Sequence, residues 1–139
     1  MQNASKILPL SSKRGDFFQQ LDGGQLERVI DTLRVSPHFL VDLIDVLSAE
    51  PLDIHIRLGV SAVLEALSGS EEMTTIIPSL NRLTHHEKAY LRSDACYFLG
   101  LVNHSDAEMI LQFMLLDLDA EVRAAAKEAL EMNGMAVMN

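Results

Sequence analysis

The stretch of sequence that decides the fold is LRSDACYFLGLV, residues 91–102. Its apolar residues recur at offsets of four, seven and eight positions, which places them along one stripe of a helix. The same stripe, with an arginine at its second position, recurs around residues 56–67 and 122–130. The three stripes consist of Ile56, Val60, Val63, Leu64 and Leu67, then Leu91, Ala95, Phe98, Leu99 and Val102, then Val122, Ala126, Ala129 and Leu130. One helix repeated at intervals of 35 and 31 residues predicts an all-α repeat protein, a short α-solenoid.

The segments between the repeated helices also have helical spacing, so they predict the second helix of each pair. We expect helices at about residues 36–50, 53–67, 71–83, 87–102, 106–116 and 119–132, after weaker ones at 16–21 and 26–33. Pro78 predicts a kink or a delayed start near Ile77, and Ser36 is expected to cap the helix that Pro37 begins. Residues 1–15 are expected to form a flexible N-terminal lead-in. Residues 16–139 are expected to form a single repeat domain of about three helix pairs plus a final helix.

The second position of each stripe is occupied by an arginine: Arg57, Arg92 and Arg123. Asp53 and Asp119 precede the first and the last of them by four residues, the spacing at which an acid and a base meet on one helix face. In the middle copy Lys88 stands at that place, so Glu87 or Asp94 would have to be the partner. The five donors of a guanidinium also suit carbonyls at neighbouring helix ends. We interpret the three arginines as a structural ladder, with an anion-binding row as the functional alternative.

The composition limits the classes of function. Eleven basic and twenty acidic residues give a formal charge of −9, and the basic residues are scattered along the chain. Because clustered Lys and Arg supply most of the affinity for phosphate backbones and anionic lipids, we expect neither nucleic acid nor a membrane as partner. No apolar run is long enough to cross a bilayer, and the first six residues lack the pattern of a secretory signal. The expected location is cytoplasmic.

Residue types that carry chemistry are few and dispersed. Cys96 is the only cysteine, so no disulfide within the chain and no CxxC pair can form, and we expect a half-buried, unreactive thiol. The run His-His-Glu at residues 85–87, with His104 and Asp106 farther on, contains metal-ligand types. Adjacent histidines on a turn point in different directions, so we interpret them as solvated turn residues. No nucleophile elbow, phosphate loop or dinucleotide fingerprint occurs, and we predict no enzyme activity, no cofactor and no metal site.

Residues 117–130, DLDAEVRAAAKEAL, resemble the acidic turn, Val-Arg pair and alanine-rich helix of short HEAT-like repeats, a kind also found in phycobilisome lyase-related proteins. The resemblance runs clearly from about Pro51 to Gly134 and weakly over residues 26–50. It implies HEAT-like helix pairs stacked into an α-α superhelix. IRLGVSAVLEAL at residues 56–67 and RSDACYFLG at residues 92–100 are similar to HEAT-like modules that accompany thioredoxin- or glutaredoxin-like domains in some bacterial proteins. Since this chain has no CxxC pair, thiol chemistry would belong to a partner.

Stacked helix pairs present an extended surface, so the preferred prediction is a noncatalytic protein-interaction or scaffold module whose partner is another protein. The second helices of the pairs are expected to line its inner side, with polar contacts from Asp42, Asp45, Asn81, Arg82 and Gln112. The last helix has no pairing partner in the sequence. It is expected to leave an apolar face open unless residues 135–138 fold back or a second copy covers it in a homodimer through this C-terminal helix. The alternative function is a lyase-like or redox-accessory protein that acts on a bilin or on a thiol partner.

Overall fold

The computed structural model describes residues 13–49 and 52–134, and these ranges contain α-helices, short 3-10 helices and turns but no strand. The α-helices of the described residues are α1 (Lys13–Asp22), α2 (Leu26–Val35), α3 (Leu40–Asp45), α4 (Ile54–Ala66), α5 (Ile77–Leu83), α6 (Ala89–Val102), α7 (Ser105–Met114) and α8 (Ala120–Met132). The 3-10 segments are Pro37–Phe39, Val46–Ser48 and Glu71–Ile76. The predicted all-α class is confirmed. Within the described ranges, no helix has the length and apolar character needed to cross a membrane.

The three repeated stripes face the interior of the protein. They belong to α4, α6 and α8, with Leu67 directly after the end of α4, and every one of their residues is buried. Burial of each large aliphatic or aromatic side chain contributes about 1.5–3 kcal/mol, so the stripes supply much of the driving force for folding. Asn133 stands where the third stripe would continue, and its side-chain amide donates a hydrogen bond to the carbonyl of Gly100.

The chain divides into two compact units, one ending at Leu67 and the other beginning at Ser68. The boundary lies between α4 and the 3-10 segment before α5, inside the second predicted helix pair, and the single repeat domain stays a prediction. The first helix begins at Lys13, three residues before its predicted start at residue 16, and the flexible lead-in stays a prediction. This turn is held by a 3.7 Å ion pair from Lys13 to Asp16 and by a 3.2 Å hydrogen bond from Arg14 to Ser48.

In the first unit, α1 packs against α2, α3 and α4. Gly59 allows the approach of α1, since a Cβ at that position would lie 3.1 Å from Cδ2 of Leu21. The predicted start at Ser36 is wrong in detail. Pro37 begins a 3-10 turn, and the side chain of Ser36 makes no capping hydrogen bond. The helical region that follows ends at Ser48, while the predicted end at residues 50–51 lies outside the described residues.

In the second unit the helices contact one another in two layers. α6 packs against α8 in the most extensive helix contact of the unit, α5 packs against α7, and consecutive helices also touch. Gly100 makes the first of these contacts close, because a Cβ there would lie 2.9 Å from the Cβ of Ala129. The delayed start at Pro78 is confirmed: residues 71–76 form a 3-10 segment, and the α-helix begins at Ile77.

Both ends of α8 have an identifiable cause. Asp119 caps the N-terminus, with its Oδ1 accepting hydrogen bonds from the backbone amides of Glu121 at 2.8 Å and Val122 at 3.3 Å. Gly134 follows the C-terminus with a φ of 70°, a conformation that favours glycine. The stripe of α8 is buried, and Met132 is a large apolar side chain of this helix that stays exposed, at 54%. The open apolar face and the homodimer stay predictions, and the predicted fold-back lies outside the described residues.

Candidate functional site

The second unit contains an open apolar groove between α5 and α7, here called the α5–α7 groove. Its cavity measures about 520 Å³, within the range of ligand-sized clefts. One wall consists of four residues of α7: Met109, Ile110, Phe113 and Met114. The other residues of the lining are polar: Asn81, Thr84, His85 and Asp106.

The sequence of α7 creates the groove because this helix is apolar on more than one side. Ala107, Leu111 and Met114 occupy the stripe that faces the core of the second unit and are buried. Met109 and Phe113 lie four residues apart on another face, with 61% and 72% of their surfaces exposed. A helix packed on one side of a protein normally places polar residues there. The exposed Met and Phe therefore mark a surface that this unit does not cover.

The end of α5 supplies a hydrogen-bonded polar wall. The backbone carbonyl of Asn81 accepts hydrogen bonds from the hydroxyl of Thr84 and from Nδ1 of His85, the latter at 2.9 Å. Because a carbonyl oxygen only accepts, Nδ1 of His85 carries hydrogen and Nε2 of the neutral ring is an acceptor. The hydroxyl of Thr84, having donated its hydrogen, likewise retains only acceptor capacity.

Asp106 brings a carboxylate to the groove from the first turn of α7. Its backbone amide donates to Nδ1 of His104 at 3.0 Å, which makes His104 the N-cap of this helix. The carboxylate lies near the same nitrogen at 3.8 Å and remains largely exposed. No Lys or Arg belongs to the lining of the groove. The charge that the groove presents is therefore negative.

The repeat arginines serve a different purpose, which the second unit shows for two of them. Arg123 donates to the carbonyls of Asp117 and Leu118, at 2.7 and 3.1 Å. Arg92 donates to the carbonyls of His86 and Glu87, at 2.9 and 3.1 Å. In both cases the carbonyls lie six and five residues before the arginine. Each guanidinium thus fixes the loop that leads into its own helix.

Arg92 also binds the side chain of Asp117 with two hydrogen bonds, Nε to Oδ2 at 2.9 Å and Nη2 to Oδ1 at 3.1 Å. The side chains are only 17% and 11% exposed, respectively. The hydrogen bond with Arg92 lowers the pKa of Asp117, and the same bond raises the pKa of Arg92. The sequence predicted Glu87 or Asp94 as the partner and missed Asp117, which precedes the next repeated helix. Asp117 therefore links the loops before α6 and α8.

The predicted partner-binding residues lie in both units. Asp42 and Asp45 belong to α3 of the first unit and are half-buried. In the second unit, Asn81 lines the groove, while Arg82 is exposed and donates to Oγ of Ser79 at 3.1 Å. Gln112 precedes Phe113 but is outside the lining of the groove. The structure thus brings one of the five predicted residues, Asn81, into the groove.

The remaining reactive side chains do not assemble into a site. Cys96, expected to be half-buried, is fully buried in α6, and burial raises the pKa of its thiol to about 12. In the described part of the chain, no three His, Cys, Asp or Glu side chains group as metal ligands. Nδ1 of His86 accepts from the backbone amide of Lys88 at 3.0 Å, so this ring supports its turn.

Comparison with known proteins adds no relative: the chain matches no family model, no curated protein and no solved structure.

Proposed function

We propose that this protein is a noncatalytic interaction module that binds another protein through the α5–α7 groove. The observation that carries the proposal is the exposure of Met109 and Phe113 above an apolar cavity of about 520 Å³. Aromatic and methionine side chains are enriched at the centres of protein interfaces, where their burial provides a large share of binding energy. Grooves between two helices are a recurring site for an apolar face of a partner.

The proposal includes a HEAT-like solenoid architecture as the frame that presents the groove. Two features of the second unit support it. Arg92 and Arg123 bind carbonyls at the same two upstream offsets, as expected of equivalent positions in successive repeats. The contacts of α6 with α8 and of α5 with α7 join first helices to first helices and second helices to second helices.

The redox-accessory alternative gains no support from the cysteine of this chain. Cys96 is fully buried and its pKa is raised to about 12, so the folded protein presents no thiolate to a partner. A reduced, buried cysteine is compatible with a reducing compartment. A cytoplasmic location is therefore part of the proposal, and fractionation of the native cell tests it.

The experiment compares capture by the wild-type protein with capture by two variants. Phe113→Ser removes the exposed ring from the groove, while Leu118→Ser makes the same kind of change at a side chain that is 97% exposed and lies outside the lining. Proteins captured from the native cell are quantified by mass spectrometry, and the melting temperatures of all three proteins are compared. A partner whose recovery falls at least about tenfold with Phe113→Ser alone supports the proposal, since hot-spot truncations cost 2 kcal/mol or more. Equal recovery by all three proteins refutes it.

A further inference from the structure

We propose that the occupant of the α5–α7 groove is a basic amphipathic helix of a partner protein. Its large apolar side chains would fill the cavity, and an Arg or Lys on the same face would meet Asp106. The inference rests on the proposed function, because it specifies the class of partner that the interaction module binds.

The groove carries a negative charge. Asp106 contributes a carboxylate to the lining of the groove, and no lysine or arginine of the chain lines it. The nearest base in the sequence of α5, Arg82, donates to Ser79, and Arg92 is bound to Asp117. The whole chain carries a formal charge of −9. A cationic segment would therefore be attracted to this groove, while an acidic segment would be repelled.

The polar wall of the groove offers mainly hydrogen-bond acceptors. Asp106 offers only acceptors, and the hydroxyl of Thr84 and Nδ1 of His85 have already given their hydrogens to the carbonyl of Asn81. Of the polar side chains in the lining, the amide of Asn81 is the one with free donor hydrogens in the described structure. Thr84 is already buried, so an apolar partner would newly bury the carboxylate of Asp106 and Nε2 of His85 without donors, which is costly. A partner with Lys or Arg brings three or five donors in one side chain.

The walls of the groove favour a helical backbone in the partner. The groove is bounded by two helices, and the described residues contain no strand whose edge could pair with an extended peptide. A helical segment satisfies its own backbone groups, so it does not need such an edge. Its side chains must then supply the donors that the groove lacks. Phe113 also offers an exposed ring face, which attracts a cation.

The test begins with selection from a displayed library of 14-residue peptides on a helical alanine-glutamine scaffold, with six positions of one face randomised over all amino acids. Enriched peptides are synthesised with a fluorescent label, and their dissociation constants for the full chain are measured by anisotropy at 50 and 150 mM salt. We expect enriched peptides to combine large apolar residues with Lys or Arg. We expect their affinity to fall at least about tenfold with Phe113→Ser, as hot-spot truncations do.

The charge contact is tested from both sides. Asp106→Asn should weaken binding about two- to fivefold at 50 mM salt, the range for an exposed ion pair, and less at 150 mM. Glu128→Gln is the matched control, since this exposed carboxylate lies on α8 outside the groove, and its affinity should match that of the wild type. A peptide with norleucine in place of its lysine should bind equally well to the wild type and to Asp106→Asn, because it lacks the charge contact, whereas a variant with a damaged fold would bind it more weakly.

The outcomes separate the inference from the proposed function. One contrary result is that the enriched peptides depend on Phe113 but carry no Lys or Arg, and another is that they bind Asp106→Asn and the wild type equally. Either result would support the groove as an interaction site but would overturn the proposal that its partner is basic. Self-association of the wild type that Phe113→Ser abolishes would also overturn it, with a second copy as the occupant. Selection of no peptide that depends on Phe113 would count against both.

Discussion

Replacement of Asp117 with asparagine is expected to destabilise the second unit far more than the same change at an exposed carboxylate. Asp117 accepts two hydrogen bonds from Arg92 and a third, at 2.9 Å, from the backbone amide of Asp119. Asparagine keeps one acceptor oxygen but loses the negative charge and the second oxygen. Arg92 then remains largely buried with its charge uncompensated, although its two carbonyl acceptors are retained.

The magnitude follows from these contacts. A hydrogen bond to a charged group contributes about 1.5–3 kcal/mol, so Asp117→Asn should cost about 2 kcal/mol and Asp117→Ala about 3 kcal/mol. For a chain of 139 residues, 1 kcal/mol corresponds to about 3–4 °C in melting temperature. We therefore expect decreases of about 7 and 10 °C. Asp16→Asn is the control, because the ion pair with Lys13 is longer, at 3.7 Å, and more exposed, and its loss should cost less than about 0.5 kcal/mol.

The assay is chemical denaturation of the wild type, Asp117→Asn, Asp16→Asn, Asp117→Ala, Arg92→Ala and the double variant of Arg92 and Asp117 to alanine. The double-mutant cycle should give a coupling energy of about 1–3 kcal/mol, as found for residues within one network.

The pH dependence supplies a second readout. Because the folded pKa of Asp117 is lowered, its stabilisation is present above the unfolded pKa of about 3.9 and is lost as the pH falls through the folded pKa.

The difference in stability between wild type and Asp117→Asn should therefore be constant from pH 7 to pH 5 and shrink below pH 4. Equal destabilisation by Asp117→Asn and Asp16→Asn would refute the argument from burial. A difference that persists unchanged to pH 2 would refute the argument from charge and assign the effect to the shape of the loop.

Three further predictions concern packing, reactivity and capping. Gly100→Ala should destabilise the protein by about 1–2 kcal/mol in urea denaturation, because overpacking against Ala129 exceeds the gain in helix propensity. Adding Ala129→Gly to the same variant should recover much of the lost stability. Cys96 should react with a thiol reagent at pH 8 only in denaturant, and rapid stoichiometric labelling of the native protein would contradict its burial. Asp119→Ala should cost about 1 kcal/mol through loss of two capping bonds, whereas Asp53→Ala, at an N-cap without a side-chain bond, should change the denaturation midpoint much less.

The helices could be predicted because their causes are local. The stripe from Leu91 to Val102 specifies a buried helix face by spacing alone. Pro78 delays the start of α5 to Ile77 because proline fits the first turn of a helix but not its interior. Such signals involve residues within one or two helical turns of each other. They are read without knowledge of the tertiary structure.

The groove and the main ion pair could not be predicted in this way. Met109 and Phe113 have the four-residue spacing of core positions, and only the packing of α7 shows that they are exposed. The partner of Arg92 is 25 residues away, at Asp117, because contacts between neighbouring helices bring distant loops together. A helical wheel of α7 would have shown apolar residues on two faces, which is the one local signal of the groove.

The carbonyl bonds of Arg92 and Arg123 have a consequence for how the connecting loops tolerate change. Every amino acid has the same main-chain carbonyl, so a hydrogen bond to that oxygen does not depend on which residue stands there. Residues such as Leu118, whose side chain is almost wholly in solvent, can therefore be substituted without changing the loop conformation. The length of the loop is constrained, because one inserted residue would move both carbonyl oxygens out of hydrogen-bonding distance of the arginine.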